Sequence, residues 1–599
     1  MRRITTNFFR NLTLIYCWTA GWPQVASGQQ ADRVDPLDSR FLPIVATDDA
    51  SFPPNVWVTG SLAKVSPNAN PGTQHRAEIS AARNEFESFQ IHVRATTKPI
   101  QLNVTVSDFV NARGGSIPAD ANVLVSREAY LNVTMVSDLN GTAGLIPDPL
   151  IPARDPYFRE KRNAFPVTIP ANETRSAWID VYVPLKTPSG YYVATVTVND
   201  GVQVLAKIPA RLKVWGFDLP STATLKSAFG SSYIAFCKET YGGYDGCGQY
   251  PGAKGSPDQG LALTHAAVAQ FFLDHRVTVS QVVVSPTSPN GNWSQFDATY
   301  GPLLDGKAKT ILPGAQLSSI QFPNGFNPNA ADLKDWITHF GAKGWLPRLF
   351  HYRCDEPPAG CAWDKLLSDA KTFRSMAPNV PILVTANMAE VTKNGVLDTI
   401  DILTPVLDHV DPMGGSNHRS SYDAWLKLPG KQLWWYQSCD QNGTCENGKP
   451  GPKTSTWPSY VVDASPVRNR IFQWMAFLYN IQGELYFATD SWGEDPWDHI
   501  YIFGGNGHGV LFYPGAPSRI GGTTAVPVAS LRLNLIRDGM EDFEYLFALA
   551  RAGQAGLAEQ IARSFITNAY TFKTDPEALM AAREKLGTQL HQIALAKQN

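Results

Sequence analysis

The sequence lacks an excess of charge of either sign. Charged residues make up only 17% of its 599 residues, and 51 Lys and Arg against 53 Asp and Glu leave a formal net charge of −2. Proteins that bind nucleic acids present a strongly basic face, so this balance argues against a nucleic-acid partner. Hydrophobic residues reach 43%, which is enough for a large core and argues against a disordered chain.

Long apolar runs are also absent after the N-terminus, so membrane insertion is not expected, because a spanning helix needs about 18 apolar residues. The N-terminus itself carries three arginines in its first ten residues, a short apolar run over 12–22 and small residues at 25–27. This order is typical of a secretory signal peptide, so residues 1–28 are predicted to be removed. A disordered tail is the alternative. The interpretation predicts a protein that is secreted or periplasmic.

Cysteines are few. One of the seven, Cys17, lies in the predicted signal peptide. The remaining cysteines form three close pairs, which are Cys237 and Cys247, Cys354 and Cys361, and Cys439 and Cys445. An even number in an exported chain favours disulfides, and pairing across the short loops is the simplest arrangement. A zinc site is the alternative, but CxxC spacing is absent, and we expect no metal or other cofactor.

Three regions follow the predicted signal peptide. Residues 40–218 contain short alternating or β-branched runs separated by Gly, Pro and Asn, which predicts an N-terminal antiparallel β-sandwich. Over 219–498, short apolar runs alternate with amphipathic helical patterns, which predicts a central (β/α)8 barrel. A doubly wound open sheet is the alternative, although no GxGxxG turn follows the first strand. Residues 499–599 predict a C-terminal mixed region of short strands and helices.

Two adjacent carboxylates follow one of the predicted barrel strands. The segment 351–358 reads HYRCDEPP, so Asp355 and Glu356 come just after a buried strand and beside Cys354. Catalytic groups of barrel enzymes lie at the carboxyl ends of strands, and paired carboxylates are the usual equipment for cleaving a glycosidic bond. The sequence therefore predicts an acid pair for catalysis. A solvated Asp-Glu-Pro turn is the alternative.

Aromatic and polar residues follow other predicted strands. The candidate substrate-binding residues are Trp434, Tyr436, Asn387, Asp490 and Trp492. Aromatic faces stack on the C–H faces of sugar rings, while amides and carboxylates bind hydroxyl groups, so this set is typical of a concave sugar site. The alternative for the aromatic residues is core packing.

These motifs resemble those of glycoside hydrolase family 123. The resemblance rests on the segment 81–90 in the first region, on Ile146-Pro147-Asp148-Pro149-Leu150, on the Asp355-Glu356-Pro357 acid motif, on Leu433-Trp434-Trp435-Tyr436, and on the segments 507–515 and 530–545. It covers nearly the whole mature chain. The long segment 530–545 is the most specific of the six, and we expect its charged part at 537–542 to be the start of a helix with a structural role.

The resemblance implies a retaining enzyme that removes terminal β-linked N-acetylgalactosamine with the help of the substrate. In such enzymes the 2-acetamido oxygen of the sugar attacks its own anomeric carbon, so no enzyme nucleophile is needed. Carried over to this sequence, Glu356 would protonate the leaving oxygen and later activate water, which requires it to start protonated. Asp355 would be ionised and would orient the acetamido group.

The cysteines around the acid motif, the Cys439/Cys445 insert and the loop over 242–260 are departures from the family pattern. Two alternatives therefore stay open, namely a glycosidase of different glycan specificity and a non-catalytic carbohydrate-binding protein. The sequence does not predict an oligomeric state.

Overall fold

The structure is a computed structural model that describes residues 35–37, 52–232, 234–286, 293–323, 330–438, 445–446, 449–450 and 457–597. The predicted signal peptide and Cys439 lie outside these ranges, so the signal peptide and the pairing of Cys439 with Cys445 stay predictions. The predicted domain boundaries also stay predictions. Within the described ranges, no helix is long and apolar enough to cross a membrane.

The N-terminal region is built from two β-sheets. Its elements are β1 (Val56–Gly60), β2 (Ala77–Arg83), β3 (Glu85–Arg94), β4 (Ile100–Val106), β5 (Phe109–Asn111), β6 (Ser116–Ile117), the short helix α1 (Ala119–Asn122), β7 (Val123–Val133), β8 (Gly144–Pro152), β9 (Val167–Ile169), β10 (Thr174–Val183), β11 (Gly190–Asn199) and β12 (Val204–Asp218). One sheet has the order β1-β3-β10-β7-β8. The other has the order β2-β12-β11-β4-β9, with β5 also paired to β11 and β6 paired to β5.

Alternation of side chains explains most of these strands. In β11 every second residue is buried, as expected for a strand with one face on the core. In β10 nearly every residue is buried, because both faces of this sheet are covered. The sequence predicts antiparallel sheets, and this is wrong for one pair, since β2 and β12 run parallel. Two strands that are far apart in the chain can pair in either direction, which local alternation does not reveal.

The central region is a nearly closed barrel of seven parallel strands. In spatial order they are β13 (Lys226–Phe229), β21 (Gly483–Tyr486), β18 (Gln432–Tyr436), β17 (Ile402–Leu403), β16 (Ile382–Val384), β15 (Leu349–Cys354) and β14 (Ile320–Gln321). A two-stranded hairpin, β19 (Cys445–Glu446) with β20 (Lys449–Pro450), precedes β21.

The predicted eightfold repeat is only partly present. Between β13 and β14 the chain makes a single parallel bridge, Phe229 with Val279, in place of a regular strand. The backbone of the segment around Val279 still hydrogen-bonds to both β13 and β14. The Phe229 amide donates to the Thr278 carbonyl at 2.9 Å, and the Gln321 amide donates to the Ser280 carbonyl at 2.8 Å. The structure therefore does not establish a (β/α)8 barrel.

Helices surround the barrel and form most of the C-terminal region. They are α2 (Ala235–Tyr241), α3 (Pro257–Asp274), α4 (Trp293–Asp305), α5 (Ala330–Lys343), α6 (Trp363–Met376), α7 (Met388–Lys393), α8 (Leu407–Val410), α9 (Asp423–Leu426), α10 (Pro466–Arg470), α11 (Phe472–Leu478), α12 (Pro517–Ile520), α13 (Leu531–Leu549), α14 (Ala555–Arg563) and α15 (Pro576–Ala596). Short hairpins accompany them, formed by β22 (Tyr501–Ile502) with β23 (Gly505–Asn506), β24 (Phe512–Gly515) with β25 (Val526–Ala529), and β26 (Ile566–Asn568) with β27 (Thr571–Phe572).

A separate group of buried side chains fills the inside of the barrel, and we call it the interior cluster. It comprises Ala228, Phe350, Leu383, Ile402, Val406, Trp434, Tyr436 and Leu485, with Tyr352 packed against it. The intervening residues of the strands face outward. On β15, for example, His351 stacks on Phe373 of α6 with ring centroids 4.2 Å apart. This alternation decides which side chains can reach the mouth of the barrel.

Helix α13 joins the N-terminal sheets to the barrel. It is buried along almost its whole length and carries charges that all meet partners on other elements. Arg532 pairs with Asp148 of β8 at 2.8 Å, and Arg537 pairs with Asp180 of β10 at 2.7 Å. Asp542 accepts from Arg470 of α10 at 2.7 Å. The charged segment 537–542 therefore lies in the middle of a helix that begins at Leu531, and the expectation of a helix start there is wrong.

Candidate active site

The acid pair lies at the carboxyl end of β15, at the mouth of the barrel. The pairing of β15 with β16 shifts register between Tyr352 and Cys354, so the regular alternation of the strand ends just before Asp355. Glu356 then adopts the left-handed backbone conformation, with φ at 42°. Bulky residues rarely adopt this conformation, and such outliers cluster at functional sites. The two carboxylates are adjacent in sequence, and the turn places their side chains next to each other in one cleft.

A disulfide closes the loop that follows the acid pair. Cys354 is bonded to Cys361, as pairing across the short loop predicts. Inside the loop the Gly360 amide donates to the Asp355 carbonyl at 3.0 Å, and a Cβ at Gly360 would collide with that carbonyl. The backbone on both sides of Glu356 is therefore fixed by a covalent bond and by a close glycine contact. The Cys237–Cys247 disulfide is also present and joins α2 to the turn of 3-10 helix that follows it.

The Asp355 carboxylate accepts two hydrogen bonds at the same oxygen. The Tyr352 hydroxyl donates to Oδ1 at 2.6 Å, and the Thr385 hydroxyl donates to Oδ1 at 2.9 Å. Tyr352 reaches this position because it lies on the inward face of β15, and Thr385 because it follows β16 on the same face as Leu383. These two donors fix the orientation of the Asp355 carboxylate.

Glu356 contacts the same threonine and a tyrosine from another strand. Its backbone amide donates to the Thr385 hydroxyl at 2.7 Å, and the Tyr436 hydroxyl donates to its Oε1. Tyr436 ends β18, three strands away from β15 in the barrel order. The side chain of Tyr436 therefore spans the mouth and holds the Glu356 carboxylate over the interior cluster.

Both tyrosines remain hydrogen-bond donors over a wide range of pH. Burial raises the pKa of Tyr352 well above its usual value, and the charge of Asp355 adds to this effect. Burial and the hydrogen bond to Glu356 likewise raise the pKa of Tyr436. Neither phenol is therefore able to act as a base near neutral pH.

The structure brings one of the five predicted substrate-binding residues, Tyr436, into contact with the acid pair. Trp434 lies two residues earlier on the same inward face, 1% exposed, with its ring 5.9 Å from Phe350 and its indole donating to Gln432 at 3.2 Å. Gly483 on the neighbouring strand leaves room for this ring. Trp434 thus forms the floor below the cleft.

The other three predicted residues make contacts with residues other than the acid pair. Asn387 caps α7 and contacts His409 at 3.2 Å. The buried Asp490 accepts from the Ser231 hydroxyl at 2.8 Å and from the Ser232 amide at 2.7 Å, and burial raises its pKa to about 6. Trp492 is buried against Phe512. Each has a structural partner, and a role of any of them in binding stays a prediction.

Sequence reasoning missed the two side chains that hold Asp355. Tyr352 is in the motif itself, and counting alternate residues back from the strand end would have placed it inside the barrel. Thr385 is the inward residue that follows Leu383, by the same count. The structure also buries the Gln437 amide directly after Tyr436, with neither polar atom hydrogen-bonded to a described residue.

In the described part of the chain, no group of three or more His, Cys, Asp and Glu side chains is placed to hold a metal ion. The side chains at the cleft are instead two carboxylates, two phenols and one hydroxyl, drawn from the ends of β15, β16 and β18. This is a set that can donate and accept protons at a fixed position and can hydrogen-bond a neutral polar substrate.

Comparison with known proteins places this cleft in a family. Residues 318–549 match the model of the glycoside hydrolase 123 catalytic domain, and residues 61–200 match the glycoside hydrolase 123 N-terminal domain. Together the two models span more than half of the chain, and the first contains both carboxylates. No curated protein sequence matches the chain.

One solved structure agrees with this chain at the level of the fold. A family 123 glycoside hydrolase from Clostridium perfringens aligns over 90% of this chain and 98% of its own, with a TM-score of 0.61 and 16% sequence identity. A family 39 glycoside hydrolase from Bacteroides cellulosilyticus WH2 aligns over 70% of this chain and 77% of its own, with a TM-score of only 0.30 and 11% identity. From the two family models and the barrel that carries the acid pair, we conclude that the chain belongs to glycoside hydrolase family 123 and is a glycoside hydrolase.

Proposed function

We propose that this enzyme removes terminal β-linked N-acetylhexosamine, most specifically N-acetylgalactosamine, with retention of configuration and with assistance from the substrate. The observation that carries the proposal is the shared tether of the two carboxylates. One hydroxyl, that of Thr385, donates to Asp355 and accepts from the Glu356 amide. The two acids are thereby held as one unit with distinct surroundings.

Glu356 is the proposed general acid and base. Its carboxylate projects to the Tyr436 hydroxyl across the mouth, where a glycosidic oxygen bound above the interior cluster would lie. In the first step the acetamido oxygen of the sugar bonds to the anomeric carbon as the bond from that carbon to the leaving oxygen breaks. Glu356 protonates the leaving oxygen, so the aglycone departs as an alcohol and an oxazolinium ion remains. In the second step Glu356 takes a proton from water, the water oxygen bonds to the anomeric carbon, and the oxazolinium ring opens.

Asp355 is the proposed partner of the acetamido group. Its Oδ1 is occupied by two donors from Tyr352 and Thr385, which orient the carboxylate. A fixed carboxylate can accept the acetamido N–H and stabilise the positive charge that develops on the oxazolinium ion. The hydrogen bonds from neutral hydroxyls keep this charge in place without neutralising it.

We further propose that the enzyme acts outside the cytoplasm on glycans, after removal of residues 1–28. Short disulfides at Cys237–Cys247 and Cys354–Cys361 support an oxidising compartment. The Clostridium perfringens relative hydrolyses glycolipid glycans, so an oligosaccharide from a glycolipid is a substrate to include in assays of this chain.

The test is a panel of aryl β-glycosides that differ at one position of the sugar. We expect release of the aryl group from the N-acetylgalactosaminide, slower release from the N-acetylglucosaminide, and at least about 10³-fold slower release from the galactoside, which lacks the acetamido nucleophile. Hydrolysis of the galactoside at a comparable rate would contradict substrate assistance and would favour a glycosidase of different specificity. Binding of sugar without any turnover of the panel or of oligosaccharides would contradict the proposed function.

A further inference from the structure

Two exposed aromatic side chains lie next to each other at the rim of the barrel mouth. Phe487 directly follows β21 and is 40% exposed, and Phe503, in the turn between β22 and β23, is 60% exposed. Their ring centroids are 5.8 Å apart. Exposed large apolar side chains that touch one another mark binding surfaces more often than isolated ones do. We call Phe487 and Phe503 the rim pair.

The rim pair is held in position from behind. The Phe487 ring lies against Gly509, where a Cβ would come within 2.6 Å of it, and its centroid is 4.7 Å from the His508 ring. Phe503 has the left-handed backbone conformation, with φ at 48°, which a bulky residue adopts only at a cost in free energy. A strained residue that presents an exposed aromatic ring suggests a function rather than a contribution to stability.

The turn that carries Phe503 is anchored to the N-terminal region. The Asn506 side chain donates to the Met135 carbonyl at 2.8 Å, and the Asn506 amide donates to the Ser137 hydroxyl at 2.8 Å. The two strands of the hairpin are short, so these buried contacts fix the place of Phe503. The rim pair is therefore a preformed surface.

This surface lies at the same end of the barrel as the acid pair, because Phe487 and Asp355 each follow the carboxyl end of a parallel strand. β21 lies next to β18, and Tyr436 of β18 is paired in register with Leu485 of β21. Leu485 belongs to the interior cluster, and Phe487 lies two residues farther along the chain, so by alternation it faces the same side. In the order of strands, β15 with the acids and β21 with Phe487 are separated by three strands on one side, so a sugar bound over the cluster lies between them.

From this arrangement, and resting on the proposed function, we propose that the rim pair selects sugars of galacto configuration by stacking against the ring that is cleaved. An axial hydroxyl at C4 leaves the opposite face of the ring with contiguous C–H groups at C3, C4 and C5, and an aromatic ring stacks well on such a face. In the gluco epimer the equatorial hydroxyl makes that face less continuous. The rim pair thus contributes specificity, while the acid pair contributes the chemistry.

The test is the ratio of kcat/KM for aryl β-N-acetylgalactosaminide to that for aryl β-N-acetylglucosaminide. We expect wild type to favour the galacto substrate, and we expect Phe487→Ala and Phe503→Ala each to lower the ratio by about tenfold, as loss of one aromatic contact predicts. Phe487→Tyr keeps the stacking surface and should keep the ratio. Phe158→Ala, at a 39% exposed phenylalanine of the N-terminal region, is the matched control and should leave it unchanged.

A merely structural role of the rim pair would lower both rates together and leave their ratio unchanged, which would overturn the inference. A loss of kcat/KM that the rim-pair variants show only with longer oligosaccharides would also overturn the inference, since the pair would then contact the leaving group. If Phe487→Ala melts below the assay temperature, Phe503→Ala decides, because that ring is mostly exposed. Wild type that cleaves neither substrate would instead overturn the proposed function itself, and the inference with it.

Discussion

The hydroxyl of Thr385 lies between the two carboxylic residues of the site, 2.9 Å from Asp355 Oδ1 and 2.7 Å from the Glu356 amide nitrogen. Its single proton goes to Asp355, while its oxygen accepts from Glu356. The two acids are adjacent in sequence, but their side chains would diverge on a regular strand. The threonine is therefore the point at which a neighbouring strand fixes the geometry of both.

Thr385→Val removes this hydroxyl and keeps the shape of the side chain. We expect kcat to fall by about 10- to 100-fold with a smaller change in KM, because misplaced catalytic groups affect the transition state more than binding. Thr385→Ser keeps the hydroxyl and should restore most of the activity. The measurement is steady-state kinetics on an aryl β-N-acetylgalactosaminide, and equal rates for Val and wild type would show that the tether has no role.

Tyr436→Phe removes the donor to Glu356 and should shift the pH dependence of the reaction. The raised pKa of Tyr436 keeps its hydroxyl protonated throughout the assay range, so it donates to the carboxylate and favours its ionised form. Without this donor, protonated Glu356 persists to higher pH, and the alkaline limb of the kcat/KM profile should move upward. A downward shift or an unchanged limb would contradict this role of Tyr436. Tyr352→Phe, which leaves Glu356 its donor, is the control.

The site could be predicted from sequence only in part, and the reasons are physical. The acid pair could be found because position after a buried strand and a neighbouring cysteine are local features. Trp434 and Tyr436 have the same local pattern on one strand, but Trp434 lies deeper and forms the floor, whereas Tyr436 at the strand end reaches Glu356. Their depth depends on where β18 begins within the barrel, and the local pattern does not show this. The role of Thr385 depends on the pairing of β15 with β16, with its shift of register, which no local pattern records.

The same limit applies to the fold. The alternation of strands and helices predicted a barrel, but the irregular segment at Val279 keeps the count of regular strands at seven. The charged segment 537–542 suggested the start of a helix, whereas it lies within α13, where Asp148, Asp180 and Arg470 pair with the charges of the helix in the interior. Those partners come from distant parts of the chain, so only the folded structure reveals that the charges are buried.

The two disulfides offer a matched pair of variants. Replacing both Cys354 and Cys361 with serine, or both Cys237 and Cys247, opens loops of similar length, with sequence separations of 7 and 10. Each change should cost about 2–3 kcal/mol of unfolding free energy, measured by denaturant titration. At a temperature where both variants are folded, only loss of the Cys354–Cys361 bond should lower kcat strongly, because it releases the loop that carries Glu356. Equal losses of kcat would contradict this assignment.

Arg537→Met tests the ionic contacts of α13. It leaves the buried carboxylates of Asp180 and Asp538 without a major partner, so we expect a loss of about 3–5 kcal/mol in unfolding free energy. The control is Arg563→Met, which removes an exposed pair with Glu559 and should cost less than about 1 kcal/mol. Thermal and denaturant unfolding of both variants gives the comparison, and a cost for Arg537→Met as small as that of the control would contradict the proposed anchoring role.

The central claim is that Asp355 and Glu356 perform the chemistry, and hydrolysis of a disaccharide with terminal β-N-acetylgalactosamine tests it most directly. Its sugar leaving group needs protonation, so Glu356→Gln should lower kcat by about 10²- to 10⁴-fold, and Asp355→Asn should also lower it strongly. Both substitutions preserve size, and unchanged melting temperatures would show that the fold is intact. Wild-type turnover together with these losses is the result that we predict. Full turnover by both folded variants would contradict the account.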